Sequence, residues 1–363
     1  MRGLLRESIF ALVILGLLFP SAGCATWSRP SIKQPETQRR PELVGANYYP
    51  WYNAARWINE EVTDTPSLGK YLSNNPEVID QHILWASEAG IDFFLVEWCG
   101  EPGSPTDQAF RQMLDSRYSD KIKFAIFYDS AINLSPGWSY DDCPDFQDMF
   151  DETQKKGQKF LDDMTYIARE YFDQPQYLKL DGKPFVVFYP AGGWSNAGPY
   201  LDALNLEMAS LGYDTYAVAD LMGWDEDDVH EYPWESWRTH FAAITGGVMH
   251  CQAVIDDPKR DGFLDELEER ITQYRIEVLN QGMGFIPPVI AGFDNRDPEI
   301  TAIPRDEGNT MRRSWDIATS NLDDKYNIVN IVTFNEWHEG SEIEPSEEYD
   351  MFYLNLLKEL RGG

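Results

Sequence analysis

Eight short apolar runs, all but one followed by a stretch of helical spacing, constrain this 363-residue chain more than any other feature. The runs are Leu43 to Ala46, Ile91 to Val96, Ile122 to Phe127, Pro184 to Tyr189, Thr215 to Ala219, Ala242 to Met249, Phe285 to Ala291 and Ile328 to Val332. They are continuously apolar rather than alternating, which is the pattern of strands buried on both faces of a parallel sheet. The intervening segments read as helices over Pro76 to Gly90, Thr106 to Tyr118, Phe146 to Phe172, Leu201 to Leu211, Asp261 to Asn280, Asn309 to Leu322 and Met351 to Leu360. The first of these has proline at its start and glycine at its end, as helix boundaries do. Pro287-Pro288 is awkward inside a strand, because proline cannot donate to a ladder. Eight strands alternating with helices at this length fit a single (β/α)8 barrel. An open doubly wound sheet is the alternative, but no GxGxxG fingerprint follows the first run.

In such a barrel, reactive residues gather where the strands end. The strand ends here are acidic and aromatic: Tyr48, Tyr49, Glu97, Trp98, Tyr128, Asp129, Tyr189, Asp220, His250, Asp294, Asn335 and Glu336. Carboxylates accept hydrogen bonds from sugar hydroxyls, and aromatic faces pack against C–H surfaces while keeping a polar handle. Trp51, Trp98 and Trp337 are therefore candidate sugar platforms, whereas His82 and Trp85, on a helix, read as core.

The chemistry concentrates after the last run, in Thr333-Phe334-Asn335-Glu336-Trp337-His338-Glu339-Gly340-Ser341-Glu342-Ile343-Glu344. Glycoside cleavage needs two carboxyl groups, one protonated and one ionised. A carboxyl desolvated by an aromatic ring, or close to another carboxylate, has its pKa raised and can donate a proton. Glu336 and Glu339, three residues apart beside Trp337 and His338, supply those ingredients. His338 orients a carboxylate or binds a hydroxyl, with a packed, hydrogen-bonded core histidine as the alternative.

The formal net charge of −31 repels nucleic-acid phosphate and anionic lipid, which argues against both as partners. An oligo- or polysaccharide substrate remains. The five histidines show no HExxH spacing, so neither a metal nor a cofactor is assigned. Arg2 and Arg6, the apolar run Ile9 to Phe19 and Pro20-Ser21-Ala22-Gly23-Cys24 read as a secretory leader. Cys24 after Ala-Gly resembles a bacterial lipobox; simple cleavage nearby is the alternative. Residues 1–23 are then a signal peptide, 24–42 a polar proline-containing linker, and 43–363 the catalytic barrel. The expectation is an exported cell-envelope lipoprotein, monomeric, touching the membrane only through a lipid anchor at Cys24. Cys99, Cys143 and Cys251 then remain, so at least one is unpaired. A glycan-binding surface lipoprotein without catalysis is the competing reading.

The stretch Asn335 to Glu344 resembles the signature of glycoside hydrolase family 99, the endo-α-mannosidase and endo-α-mannanase family. Tyr48-Tyr49-Pro50-Trp51-Tyr52 resembles its opening aromatic motif. Leu180-Asp181-Gly182-Lys183-Pro184 is similar to that family and to its lipopolysaccharide-biosynthesis-associated relatives. The resemblance implies a (β/α)8 fold and metal-independent, retaining cleavage of α-linked, mannan-like glycans. It assigns Glu336 as the base toward a sugar 2-hydroxyl, which yields a 1,2-anhydro intermediate, and Glu339 as the general acid/base. It places Tyr48 or Tyr49 in the reacting subsite.

Overall fold

The computed structural model describes residues 39–59, 61–134, 156–194, 196–221, 233–246, 262–297 and 302–362. Parallel strands β1 (Leu43–Tyr48), β2 (Phe93–Trp98) and β3 (Lys123–Asp129) lead into a two-residue arm, β4 (Lys179–Leu180), that folds back antiparallel on β5 (Lys183–Tyr189). Then come β6 (Tyr216–Asp220), β7 (Ala243–Thr245), β8 (Gly284–Ile286), β9 (Pro288–Ile290) and β10 (Ile328–Val332). Their hydrogen-bonded order is β8-β7-β6-β5-β3-β2-β1-β10-β9.

The expected strand over Phe285 to Ala291 is divided at Pro287. Its first half, β8, pairs with β7, and its second half, β9, pairs with β10. The Pro287 carbonyl still accepts from the Asn330 N–H at 3.1 Å. Chain continuity through Pro287 therefore completes the ring, and the fold is a (β/α)8 barrel.

The helices are α1 (Ala54–Asn59), α2 (Pro76–Ala89), α3 (Pro105–Asp115), α4 (Ser130–Leu134), α5 (Lys156–Tyr171), α6 (Gly198–Ser210), α7 (Trp234–His240), α8 (Phe263–Asn280), α9 (Asn309–Ser320) and α10 (Phe352–Leu360). In α2, the Asn75 side chain accepts from the Glu77 N–H at 3.0 Å, Pro76 opens the first turn, and Gly90 closes the helix at φ 87°. Helix α3 stops short of Tyr118, because Ser116 turns its backbone extended and its hydroxyl accepts from the Tyr118 N–H. Of the expected strand from Ala242 to Met249, Ala243–Thr245 forms a ladder and residues 247–249 lie outside the described residues; the short helices α1, α4 and α7 carry too little apolar periodicity to be foreseen.

Side chains alternate across each strand. Phe93, Leu95, Phe127, Val187, Tyr189 and Val218 fill the barrel interior. Phe94, Val96, Trp98, Ile126, Tyr128 and Phe188 pack outward against the helices. Gly45 faces inward where a Cβ would lie 2.3 Å from the Phe93 ring, so its missing side chain is what lets Phe93 plug the barrel.

The leader, Cys24, the linker through residue 38, Cys143, Asp225 to Asp228, His250 and Cys251 lie outside the described residues. Among the described residues Cys99 is a free thiol, and no helix is long and apolar enough to cross a membrane.

Candidate active site

At the C-terminal end of the barrel lies a cavity of about 210 Å³ lined by Tyr49, Trp51, Arg56, Glu97, Phe127, Asp129, Ile132, Tyr189, Glu336, His338 and Glu339. Eight of these are strand-end or motif residues expected from the sequence. A cavity of about 580 Å³ opens at the opposite end, beside Lys183, Tyr216 and Gly284. Its lysines are already paired, Lys183 with Asp214 at 2.6 Å and Lys325 with Asp181 at 3.5 Å. Barrel chemistry belongs at the C-terminal face, which favours the smaller cavity.

Alternation decides which strand-end residues reach it. Glu97, Asp129 and Tyr189 share the inward register of Leu95, Phe127 and Val187, and they line the cavity. Tyr48 and Trp98 fall in the other register and do not. The Tyr48 hydroxyl pairs with His82 Nδ1 at 2.9 Å, and the Trp98 indole donates to Asp107 Oδ1 at 3.1 Å.

Two residues of the motif are likewise braces rather than lining. Trp337 is fully buried, donating from its indole to Glu344 Oε2 at 3.1 Å. Asn335, also buried, accepts from the Tyr49 N–H at 2.7 Å and donates to the Tyr49 carbonyl at 3.1 Å. Asp294 sits beyond Gly340 in a separate cavity of about 430 Å³, and its N–H donates to the Glu339 carbonyl at 2.7 Å.

The motif loop is fixed from several sides. The Thr333 hydroxyl accepts from the Glu336 N–H at 2.8 Å, and the Phe334 N–H donates to the Asn47 carbonyl at 2.8 Å. Gly340 turns at φ 54°, where a Cβ would lie 2.9 Å from the Asp294 carbonyl oxygen. Behind the loop, His82 Nε2 meets Glu344 Oε1 at 3.0 Å in a fully buried pair, and the Tyr71 hydroxyl donates to Glu344 Oε2 at 2.7 Å.

Glu336 Oε1 accepts from the Tyr52 hydroxyl at 3.3 Å and from the His338 N–H at 3.1 Å. Burial pushes the Glu339 carboxyl up to about 7, so it holds a proton near neutrality. His338 is pushed down to about 4, first by burial and then by the neighbouring Arg56 guanidinium. It is therefore neutral, with Nε2 accepting from Arg56 Nε at 3.2 Å. The Arg56 guanidinium lies 3.8 Å from the Trp51 ring centroid, a cation–π contact. Glu97 and Asp129 are hydrogen-bonded to each other. Burial, then Asp129, raises Glu97 well above the carboxylate range, and burial raises Asp129 to about 6.

Arg56, Tyr52, Phe127 and Ile132 were not foreseen as site residues. Tyr52 stands inside the aromatic cluster after β1, and Phe127 is two residues before Asp129, so strand alternation would have reached it. Arg56 and Ile132 lie on short helices that no periodicity marks. No group of three or more His, Cys, Asp or Glu among the described residues is arranged to hold a metal ion.

The family described as glycosyltransferase WbsX matches residues 63–357. A glycoprotein endo-α-1,2-mannosidase of Xenopus laevis is 22% identical over 339 residues, 87% of this chain and 63% of its own length. A glycoprotein endo-α-1,2-mannosidase-like protein of Mus musculus is 24% identical over 318 residues, 80% of this chain and 60% of its own length. The chain thus spans about three fifths of the length of these relatives. Among solved structures, the GH99 endo-α-mannosidase of Bacteroides thetaiotaomicron superposes with a TM-score of 0.65 at 18% identity, over 87% of this chain and 96% of that one. The resemblance expected from the motifs is borne out, and the shared fold is the barrel.

Proposed function

The chain belongs to the WbsX family, and from that premise we propose that it cleaves α-linked glycans, mannan-like ones foremost, with retention of configuration. The observation that carries the proposal is that Glu336 and Glu339 line one cavity at the C-terminal face, with Glu339 pushed up to about 7. The similarity to endo-α-mannosidases supports the substrate class.

Glu339 enters protonated and delivers its proton to the glycosidic oxygen as the bond to C1 breaks. Glu336 draws the proton from the 2-hydroxyl, and O2 closes on C1 to give a 1,2-anhydro sugar. In an α-mannoside O1 and O2 stand trans-diaxial, which is the arrangement an internal displacement requires. Glu339, now a carboxylate, then takes a proton from water as the water opens the ring at C1, and Glu336 returns its proton to O2. Two inversions give net retention. Tyr52 and the His338 N–H hold Glu336 Oε1 through the cycle. Tyr49, Trp51 and Tyr189 offer ring surfaces to the sugar.

Hydrolysis of a panel of α-linked glycans by the wild type, Glu336→Gln and Glu339→Gln tests this, with NMR reading the anomer first formed. Unchanged activity in both variants would remove the proposal, and binding without turnover by the wild type would favour the non-catalytic glycan binder. The family's description as a glycosyltransferase favours a second reading, in which a sugar hydroxyl replaces water in the last step. Elongated products in the presence of acceptor sugars would select it. We further propose export and anchoring through Cys24, supported by the basic-then-apolar leader. A mature N-terminus without a thioether-linked lipid at Cys24 would refute the anchor.

A further inference from the structure

The mechanism leaves two buried carboxyl groups of the cavity unused. Glu97 and Asp129 stand at the ends of the adjacent parallel strands β2 and β3, both turned to the interior. They share a hydrogen bond, and Asp129 Oδ1 also accepts from the Ile132 N–H at 2.9 Å. Glu97 is only 1% exposed, yet its carboxyl lines the cavity beside Asp129. A carboxyl oxygen on the cavity wall accepts from a donor that the ligand supplies, and burying it without one costs free energy.

The donor in question has a definite character. Burial and Asp129 favour the protonated form of Glu97, whose proton then lies toward Asp129. That leaves the other oxygen of the Glu97 carboxyl as an acceptor and the pair with a net negative charge. A sugar hydroxyl fits such an oxygen. A sugar carboxylate does not, since it brings only acceptors and adds a charge beside Asp129 and Glu336. Arg56, a cation of the lining, is already engaged with His338 Nε2 and the Trp51 ring.

We propose, resting on the reading of this cavity as a glycan-cleaving site, that Glu97 and Asp129 form its specificity floor: the Glu97 carboxyl accepts a hydroxyl of an uncharged sugar, and the pair excludes hexuronates. The substrate class is thereby narrowed to neutral glycans.

Calorimetric binding to the full chain carrying Glu339→Gln, which slows turnover by orders of magnitude, tests the proposal separately from the chemistry. The probes are a neutral α-mannan, a neutral α-glucan and each polymer oxidised at C6 to carboxylates. At least one neutral polymer is expected to bind and its oxidised form to bind on the order of 10- to 100-fold more weakly, the effect of one mispaired buried polar group. Adding Glu97→Leu should cost a similar factor toward the neutral polymer. Adding Glu97→Gln, which keeps an acceptor oxygen, should recover most of it. Asp129→Asn should narrow the gap between neutral and oxidised forms. Equal binding of both forms, or Glu97→Leu and Glu97→Gln losing alike in folded protein, would overturn the proposal. Binding with this discrimination but no hydrolysis by the wild type would defeat the cleavage reading and leave the specificity floor standing. Hydrolysis of neutral and oxidised polymers alike would do the reverse. Binding to none of the four polymers would overturn both.

Discussion

Asn335 clasps the backbone of Tyr49 from both sides, its amide oxygen accepting from the N–H at 2.7 Å and its amide nitrogen donating to the carbonyl at 3.1 Å. One side chain thus ties the loop after the first barrel strand to the loop after the last, across 286 residues. Asn335→Ala leaves a buried N–H and a buried carbonyl without their partner. Folding stability should fall by about 1–3 kcal/mol, measured by urea denaturation. Tyr49 lines the cavity, so kcat/KM should fall as well. Asn335→Asp should be worse than Asn335→Ala if the Tyr49 carbonyl is the sensitive contact, because a carboxylate would face it.

If Glu339 is the proton donor, kcat/KM should decline as pH rises through about 7, where its carboxyl loses the proton. Glu339→Gln should lower kcat on a natural glycan by roughly 10²- to 10⁴-fold. The same variant should lose far less on an aryl glycoside whose leaving group departs without protonation. A pH–rate profile and a leaving-group series on both proteins are the measurements, and equal losses on both substrates would contradict the role.

Stability should also depend on pH in an unusual direction. Burial holds Glu339 and Glu342 at about 7 against an ordinary 4.5, and Asp129 at about 6 against 3.8. Each group binds its proton more readily folded than unfolded. Their contribution is therefore fully present below the unfolded carboxyl range and is lost as pH climbs through the folded values. The Tm should rise as pH is lowered from 8 to 5, and Glu342→Gln should flatten that slope. Thermal scans at fixed ionic strength would show it; a Tm that falls over that window would contradict it.

The buried pair of His82 and Glu344 braces Trp337 and the motif from behind. His82→Ala should cost about 1–3 kcal/mol, the usual penalty for leaving a buried hydrogen-bonding group, here Glu344 Oε1, without its partner. His82→Leu combined with Glu344→Leu should recover part of that stability while leaving kcat depressed, because the Trp337 indole loses its acceptor. Chemical denaturation and steady-state kinetics on the single and double variants separate the two effects.

The barrel was legible because its strands are continuous apolar runs and its helices carry caps and periodicity. That same continuity hid the site's finer geometry. Phe93, Phe94, Leu95 and Val96 are all buried, two inside the barrel and two against helices, so the sequence carries no hydrophobic alternation to say which face is which. At Glu97-Trp98 the acid faces the cavity and the indole the helices, although both read as sugar contacts. Tyr48 and Trp337 were misplaced for the same reason, since an aromatic beside a strand end looks alike whether it lines a cavity or supports one. Arg56 escaped notice because a lone arginine on a six-residue helix has no pattern to announce it.

The division of the seventh strand at Pro287 has a topological consequence. Among the described residues, every other junction in the ring is a ladder of hydrogen bonds between separate strands, whereas this one is chain continuity. A circular permutant with new ends at Pro287 would inherit every ladder and yet become an open sheet with two bare edges. New ends in the turn at Asp181-Gly182 would leave the ring closed. Among the described residues the wall around Glu336 is thus joined there by one peptide segment, and where the chain is cut, rather than how many contacts are lost, decides whether it remains a barrel.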